Sequence, residues 1–258
     1  MTPLADTHVH LLAGLDDGPP DADEALAMCR LLASEGVRHA TALAHQNESY
    51  PDNTAVQLRS AAVDLAAQLH RENVPLAVHP TGEVALTPDL EADWRAGRLL
   101  SIGDHGRFLL VEMPPSGFVN VRPLAAALRG AGVRFVIAHA ERYPELLHDP
   151  GAVEELVVAG CLIQVTASAL ADPPSGATGR VLRDWAKRGL VHLLCSDGHR
   201  MSRRRPHLRA GYEALARYAG REAADRTVIW GSAILQGLPV KVPVPVPRAR
   251  SWLGGLFA

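Results

Sequence analysis

Residues 5 to 18 read ADTHVHLLAGLDDG, and His8, His10, Asp16 and Asp17 fall within that one stretch. Imidazole nitrogens and carboxylate oxygens are the donors that divalent ions such as manganese, iron and zinc accept. An HxH pair alone fits solvated loop histidines as well as a metal, so the remaining donors decide. His45 follows the apolar run ATALA, Glu83 closes AVHPTGE, and Glu112 closes FLLVE. His139 follows FVIA with Glu141 and Arg142 just behind, and the stretch CSDGH supplies Asp197 and His199. Each of these residues stands at or just past the end of a short apolar run. Histidine is not a favoured helix N-cap, so capping does not account for the pattern. Cys195, two positions before Asp197, is the only thiol near these ends. A nitrogen and oxygen donor set of this size exceeds what one ion needs, so two or three divalent ions bridged by a carboxylate are expected. Such clusters activate water and stabilise both oxygens of an in-line displacement, which makes hydrolysis of a phosphate ester the natural chemistry.

The elements that must position these residues alternate in type. Strands are expected at 3–8, 37–43, 76–83, 108–113, 133–138, 162–166 and 191–196. Helical periodicity covers 22–34, 54–72, 121–129, 152–158, 179–188 and 207–218, with Gly36, Gly130, Gly132, Gly160 and Gly189 placed as helix stops. Strands alternating with helices predict a parallel sheet, and seven units without a composition break favour a closed α/β barrel over an open sheet. In such barrels function gathers at the C-terminal strand ends, where six of the seven runs deliver a His, Asp or Glu. The sixth run offers Gln164 and Thr166 there instead. A further helix over 221–235 is expected to pack on the outside. Residues 1–240 are read as one barrel domain. Residues 241–258 are read as a proline-rich extended tail, whose apolar WLGGLFA end docks on this or another subunit.

Bulk properties narrow the setting. The 258 residues are 47% hydrophobic and 21% charged, with a net charge of −2, which provides no footprint for nucleic acid. No run approaches the ~20 consecutive apolar residues of a membrane span, so no membrane insertion is expected. Cys29, Cys161 and Cys195 form no CxxC pair and read as buried, reduced thiols. No basic, apolar leader is evident at the start, and a cytoplasmic location is expected.

The stretches DTHVHLLAGLDDG, GEV, LLVEMP, IAHAERY and CSDGH resemble the PHP (polymerase and histidinol phosphatase) superfamily. Within it they are most similar to the bacterial manganese-dependent protein-tyrosine phosphatases of capsule and exopolysaccharide loci. The likeness runs in order from about residue 6 to 209. It implies a distorted seven-stranded TIM-like (β/α) barrel, the PHP fold, with a trinuclear centre. One ion would be held by His8, His10, Glu83 and Asp197. Glu83 would bridge to a second held with Glu112 and His139, and Asp17, His45 and His199 would hold the third, leaving Asp16 behind the ligands. In such enzymes a metal-bound hydroxide attacks phosphorus while basic residues clamp the phosphate oxygens. Arg142 is the first candidate for that clamp, followed by Arg204 and Arg205 in the run RMSRRRPHLR. The ions would be manganese, with iron or zinc as alternatives. The substrate would be phosphotyrosine on a protein, notably the C-terminal tail of a bacterial tyrosine kinase, and the C-terminal region would support a homo-oligomer. The chain departs from the family pattern in Leu43-Ala44 before His45, in Thr166, and in Gly231-Ser232-Ala233 near the last helix.

Other chemistries are poorly served. A thiol phosphatase needs Arg six residues after its Cys, and positions 35, 167 and 201 are Glu, Ala and Met. Neither a Walker lysine motif nor GxGxxG occurs. The rivals are other metallohydrolases of related barrels, a histidinol-phosphate phosphatase or a TatD-like nuclease. The nuclease would have no use for Asp17 and His45. A non-catalytic barrel acting as a regulatory partner is disfavoured by the complete ligand set.

Overall fold

In the computed structural model, which describes residues 2–149 and 151–245, seven parallel strands stand side by side in chain order. They are β1 (Leu4–Asp6), β2 (Val37–Gln46), β3 (Ala77–Ala85), β4 (Phe108–Glu112), β5 (Arg134–Ile137), β6 (Leu162–Thr166) and β7 (Leu193–Cys195). The two edge strands meet at their C-terminal ends. Val9 bridges Gly198 in parallel, the Asp197 amide donates to the His8 carbonyl at 2.8 Å, and the His10 amide donates to the Gly198 carbonyl at 2.9 Å. Thr7 Oγ1 donates to the Leu194 carbonyl at 3.0 Å lower in the same seam. The result is the nearly closed, distorted α/β barrel expected.

Helices α1 (Ala22–Ser34), α2 (Ala55–Arg71), α3 (Leu90–Arg95), α4 (Arg122–Gly130), α5 (Pro144–His148), α6 (Ala152–Val158), α7 (Ala167–Ala171), α8 (Ala177–Lys187), α9 (Arg209–Ala219) and α10 (Arg221–Leu235) complete it, with 3₁₀ turns at Ile102–Asp104 and Ala140–Arg142. Asp21 and Thr54 accept from the amides of Glu24 and Gln57 and so cap α1 and α2. Four of the expected stop glycines, Gly36, Gly132, Gly160 and Gly189, have positive φ. Gly130 is instead the last residue of α4. The short α3, α5 and α7 were not expected, because one or two turns carry too little periodicity to register.

Alternation along the strands sorts side chains into two clusters. Leu109, Val111, Phe135, Ile137, Ile163 and Val165 belong to the larger cluster beneath the helices. Ala5, Leu43, Leu110, Val136, Ala138, Leu162 and Leu193 form the barrel interior. The expectation that the last helix lies outside needs correction. Ile234 and Leu235, at the end of α10, join this interior cluster with Ile102 and Phe108. An apolar floor solvates the lower barrel poorly, and α10 supplies the side chains that close it. Val240 and Val242 pack against the same cluster. The predicted docking of WLGGLFA falls outside the described residues. Among those described, no helix is long and apolar enough to cross a membrane.

His192, immediately before β7, is fully buried. Its Nδ1 accepts from the Ile163 amide at 2.9 Å, and its ring meets Trp230 edge-on. Burial, with help from the charge of Arg134, pushes its pKa down to about 3. Between that value and the unfolded value near 6.5, the unfolded chain binds a proton the folded chain does not, so stability falls as pH drops through this window. Above pH ~6.5 the effect vanishes. Urea unfolding from pH 7 to 4 should show this loss, and His192→Asn should reduce the slope by up to about 1.4 kcal/mol per pH unit. Equal slopes for the two chains would refute the assignment.

Candidate metal and phosphate site

The interior alternation that builds the apolar layer carries straight into the mouth. Two residues beyond inward Leu43 comes His45, and two beyond Leu110 comes Glu112. Strand β2 does not stop at Leu43, as expected, but runs to Gln46 because its backbone pairs with β3. That register sets His45 directly beside Glu83, whose strand runs two residues beyond its expected end at 83, to Ala85. A Cβ at Gly82 would displace the Gln46 side chain from its place. Gln46 holds the neighbouring loops by accepting from the Leu100 amide and donating to the Asn53 and Arg98 carbonyls.

All nine predicted ligands come together. His8 Nε2 lies 3.2 Å from Glu83 Oε2 and 3.4 Å from Asp197 Oδ1, while His10 Nε2 is 3.3 Å from Glu83 Oε2. His139 Nε2 stands 3.1 Å from Glu83 Oε1 and 3.6 Å from Glu112 Oε1. His45 Nδ1 is 3.1 Å from Glu83 Oε2, and its Nε2 is 3.4 Å from Asp17 Oδ1. His199 Nε2 approaches the same Asp17 oxygen at 3.4 Å. Donor atoms within ion-holding distance group as His8, His10 and Asp197; His8, Glu83 and His139; His45, Glu83 and Glu112; and His10, Asp17, His45 and His199. Two of the predicted strand-end ligands, His139 and Asp197, have φ of 32° and 52°. The left-handed region is costly for such residues, and it is held here where the donors must turn inward.

The electrostatics fit bound cations. Asp17 Oδ1, His45 Nδ1, Glu83 Oε2, Asp197 Oδ1 and His199 Nε2 are buried atoms without a hydrogen-bond partner among the described residues. Burial would raise the Glu83 carboxyl, yet His8, His10 and His139 hold it well below the usual range. Asp197 is likewise lowered, against its burial, by His8 and Arg142. Glu112 moves the other way, raised by burial and by the charge of Glu83 beside it. Four carboxylates and five imidazoles around one cavity therefore make an oxygen and nitrogen cluster suited to divalent ions.

Outer contacts fix which nitrogen faces the centre. His10 Nδ1 meets Asp16 Oδ2 at 2.6 Å, and Asp16 also accepts from the His45 and Gly18 amides. His8 Nδ1 meets Gln164 Oε1 at 3.0 Å, and Gln164 Nε2 in turn donates to Thr7. Tyr143, which accepts from the Met113 amide, lies 3.4 Å from His139 Nδ1. In each case Nδ1 is occupied and Nε2 is left for the cavity. Tyr143 escaped notice as part of the site, and Gln164, seen at the sixth strand end, was given no role, because neutral side chains announce no charge. The place of Gln164 two residues after inward Leu162 was the available signal.

Arg142 and Arg204 both pair with Asp197 Oδ2, with side chains 43% and 35% exposed, so each has one end in the site and one in solvent. Arg205 is exposed and joins no ion pair among the described residues. Elsewhere in that run, Arg209 bonds the Thr2 and Glu35 carbonyls, and Arg200 bonds the Asp17 carbonyl. Cys195 is fully buried with its thiol pushed up by burial, which removes it as a nucleophile.

Comparison with known proteins identifies the family. Residues 4–235 match the family model for capsular polysaccharide synthesis, CpsB/CapC. The chain is 29% identical to the tyrosine-protein phosphatase YwqE of Bacillus subtilis, over 98% of this chain and 100% of that one. It is 24% identical to the tyrosine-protein phosphatase CpsB of Streptococcus pneumoniae, over 88% and 95% of the two chains. A chain from the crystal structures of YwqE and CpsB, described as metal-dependent tyrosine phosphatases, superposes with a TM-score of 0.87 at 28% identity, covering 95% of this chain and 99% of that one. The chain belongs to the CpsB/CapC family of capsular polysaccharide synthesis.

Proposed function

We propose that this chain is a metal-dependent phosphatase that removes phosphate from tyrosine on a protein, with the barrel of residues 1–240 as the catalytic unit. The observation that carries this reading is the meeting of nine nitrogen and oxygen donors with two half-exposed arginines on one buried carboxylate, Asp197. His8, His10, Glu83 and Asp197 would hold one divalent ion, Glu83, Glu112 and His139 a second, and Asp17, His45 and His199 a third. Manganese is the first choice, with iron or zinc as alternatives. Divalent ions bound there supply an activated water and charge for the phosphoryl oxygens.

The chain's own residues do the rest. Arg142 and Arg204 swing from Asp197 onto the phosphoryl oxygens, where guanidinium forks give charge-assisted, bidentate contacts. Asp16, Gln164 and Tyr143 keep the histidines in the tautomer that presents Nε2. The relatives act on tyrosine phosphate by name, and the family is one of capsule synthesis. The substrate would accordingly be the tail of a bacterial tyrosine kinase that controls capsule or exopolysaccharide assembly, met in the cytoplasm. Self-association through the C-terminal region completes the proposal.

A hydrolysis panel tests it. Phosphotyrosine peptide should be cleaved faster than histidinol phosphate or single-stranded DNA, with Mn²⁺ supporting more activity than Mg²⁺. Preference for histidinol phosphate or DNA would move the chain to one of the rival hydrolases. The gathering of Asp17, His45 and His199 counts against the nuclease, which has no role for the first two.

A further inference from the structure

The three ion positions are not built alike, and the difference concerns Asp17. The positions around Glu83 share that fully buried carboxylate, and each adds a second one, Asp197 or Glu112. The position of His45 and His199 has Asp17 as its one carboxylate, and this side chain is 37% exposed. Fewer charged ligands and greater exposure both weaken cation binding there.

This position also depends on a clamp outside the ligands. The ring of Tyr50 lies parallel to that of His45, 5.7 Å away with an interplanar angle of 3°. From the other side Arg200 Nε donates to the Asp17 carbonyl at 3.2 Å. Tyr50 thus stacks on His45, which stands beside Asp17 in this position.

Resting on the metal-dependent reading above, we infer that the centre is two-tiered: a tightly held pair around Glu83 and an exchangeable third ion whose position is assembled by Tyr50. Tyr50 is a positioning residue, acting through His45. The availability of free metal would then set the fraction of chains carrying the complete centre, which gives the same site a regulatory input.

The test is equilibrium Mn²⁺ titration of the metal-stripped full chain, with bound metal counted by mass spectrometry. The wild-type chain should take up two equivalents tightly and a third at least ~10-fold more weakly. Tyr50→Ala should weaken the third alone by a further ~10- to 100-fold, as loss of an outer-shell partner does. Tyr50→Phe keeps the ring stack and should restore most of the third site. Retention of the tight pair in Tyr50→Ala serves as its folding control. Three equivalents of equal affinity in the wild-type chain, or equal weakening of all three in Tyr50→Ala, would overturn the two-tier inference while leaving metal dependence standing. Failure of the wild-type chain to bind any ion would overturn both.

Discussion

Replacing Glu83 with Gln is expected to lower kcat/KM for a phosphotyrosine peptide by ~1000-fold or more, about 4 kcal/mol of transition-state stabilisation. Glu83 is 1% exposed and stands within 3.3 Å of His8, His10, His45 and His139. The amide has nearly the same shape, so packing is kept while one negative charge and one acceptor oxygen are lost. Four histidines then converge on a neutral group, and the charge that drew the cations together is gone. Metal bound per chain should fall with activity, while far-UV circular dichroism stays the same. Activity within about tenfold of wild type would mean that Glu83 does not join the ion positions.

The second large effect falls on the arginines. Arg142→Ala and Arg204→Ala should each lower kcat/KM by ~10- to 1000-fold, the loss expected of charge-assisted phosphate contacts. Unlike the Glu83 change, neither should reduce bound metal, because both guanidiniums contact Asp197 through Oδ2 and leave Oδ1 facing His8. Because the two share that oxygen, their effects should not add in the double variant. Arg205→Ala is the comparison: a loss as large as that of Arg204→Ala would move the clamp by one residue. Steady-state kinetics across phosphopeptide concentrations separates the cases, and losses below about twofold for both Arg142 and Arg204 would remove the clamp from the account.

Much of this site was legible before any coordinates. Period-2 alternation forces a polar residue two positions beyond an inward apolar one to face the barrel mouth, so Leu43 to His45 and Leu110 to Glu112 are readable. Ion ligands are also the one class of buried group that must be charged or imidazole, so their types reveal them. The helpers were harder to see. Gln164 carries no charge, Tyr143 lies on a one-turn helix entry, and Tyr50 matters only because its loop folds back across His45. The plugging of the barrel floor by Ile234 and Leu235 was likewise hidden. An amphipathic helix announces that one face is buried but not against which surface.

Of the arginine run, sequence position alone could not separate residues that differ by a turn in direction. Arg204, with φ of 55°, turns back to Asp197, and Arg209 is spent on the Thr2 and Glu35 carbonyls. One run therefore divides into a site residue and a structural tie, because backbone direction rather than composition decides the outcome.

The central claim is that hydrolysis of phosphotyrosine depends on cations held by these nine residues. It is tested most directly by stripping the full chain with chelator and returning Mn²⁺ stepwise while following phosphate release from a phosphotyrosine peptide. The account predicts negligible release from the stripped chain and recovery in step with bound metal. Undiminished hydrolysis by the metal-free chain would contradict it.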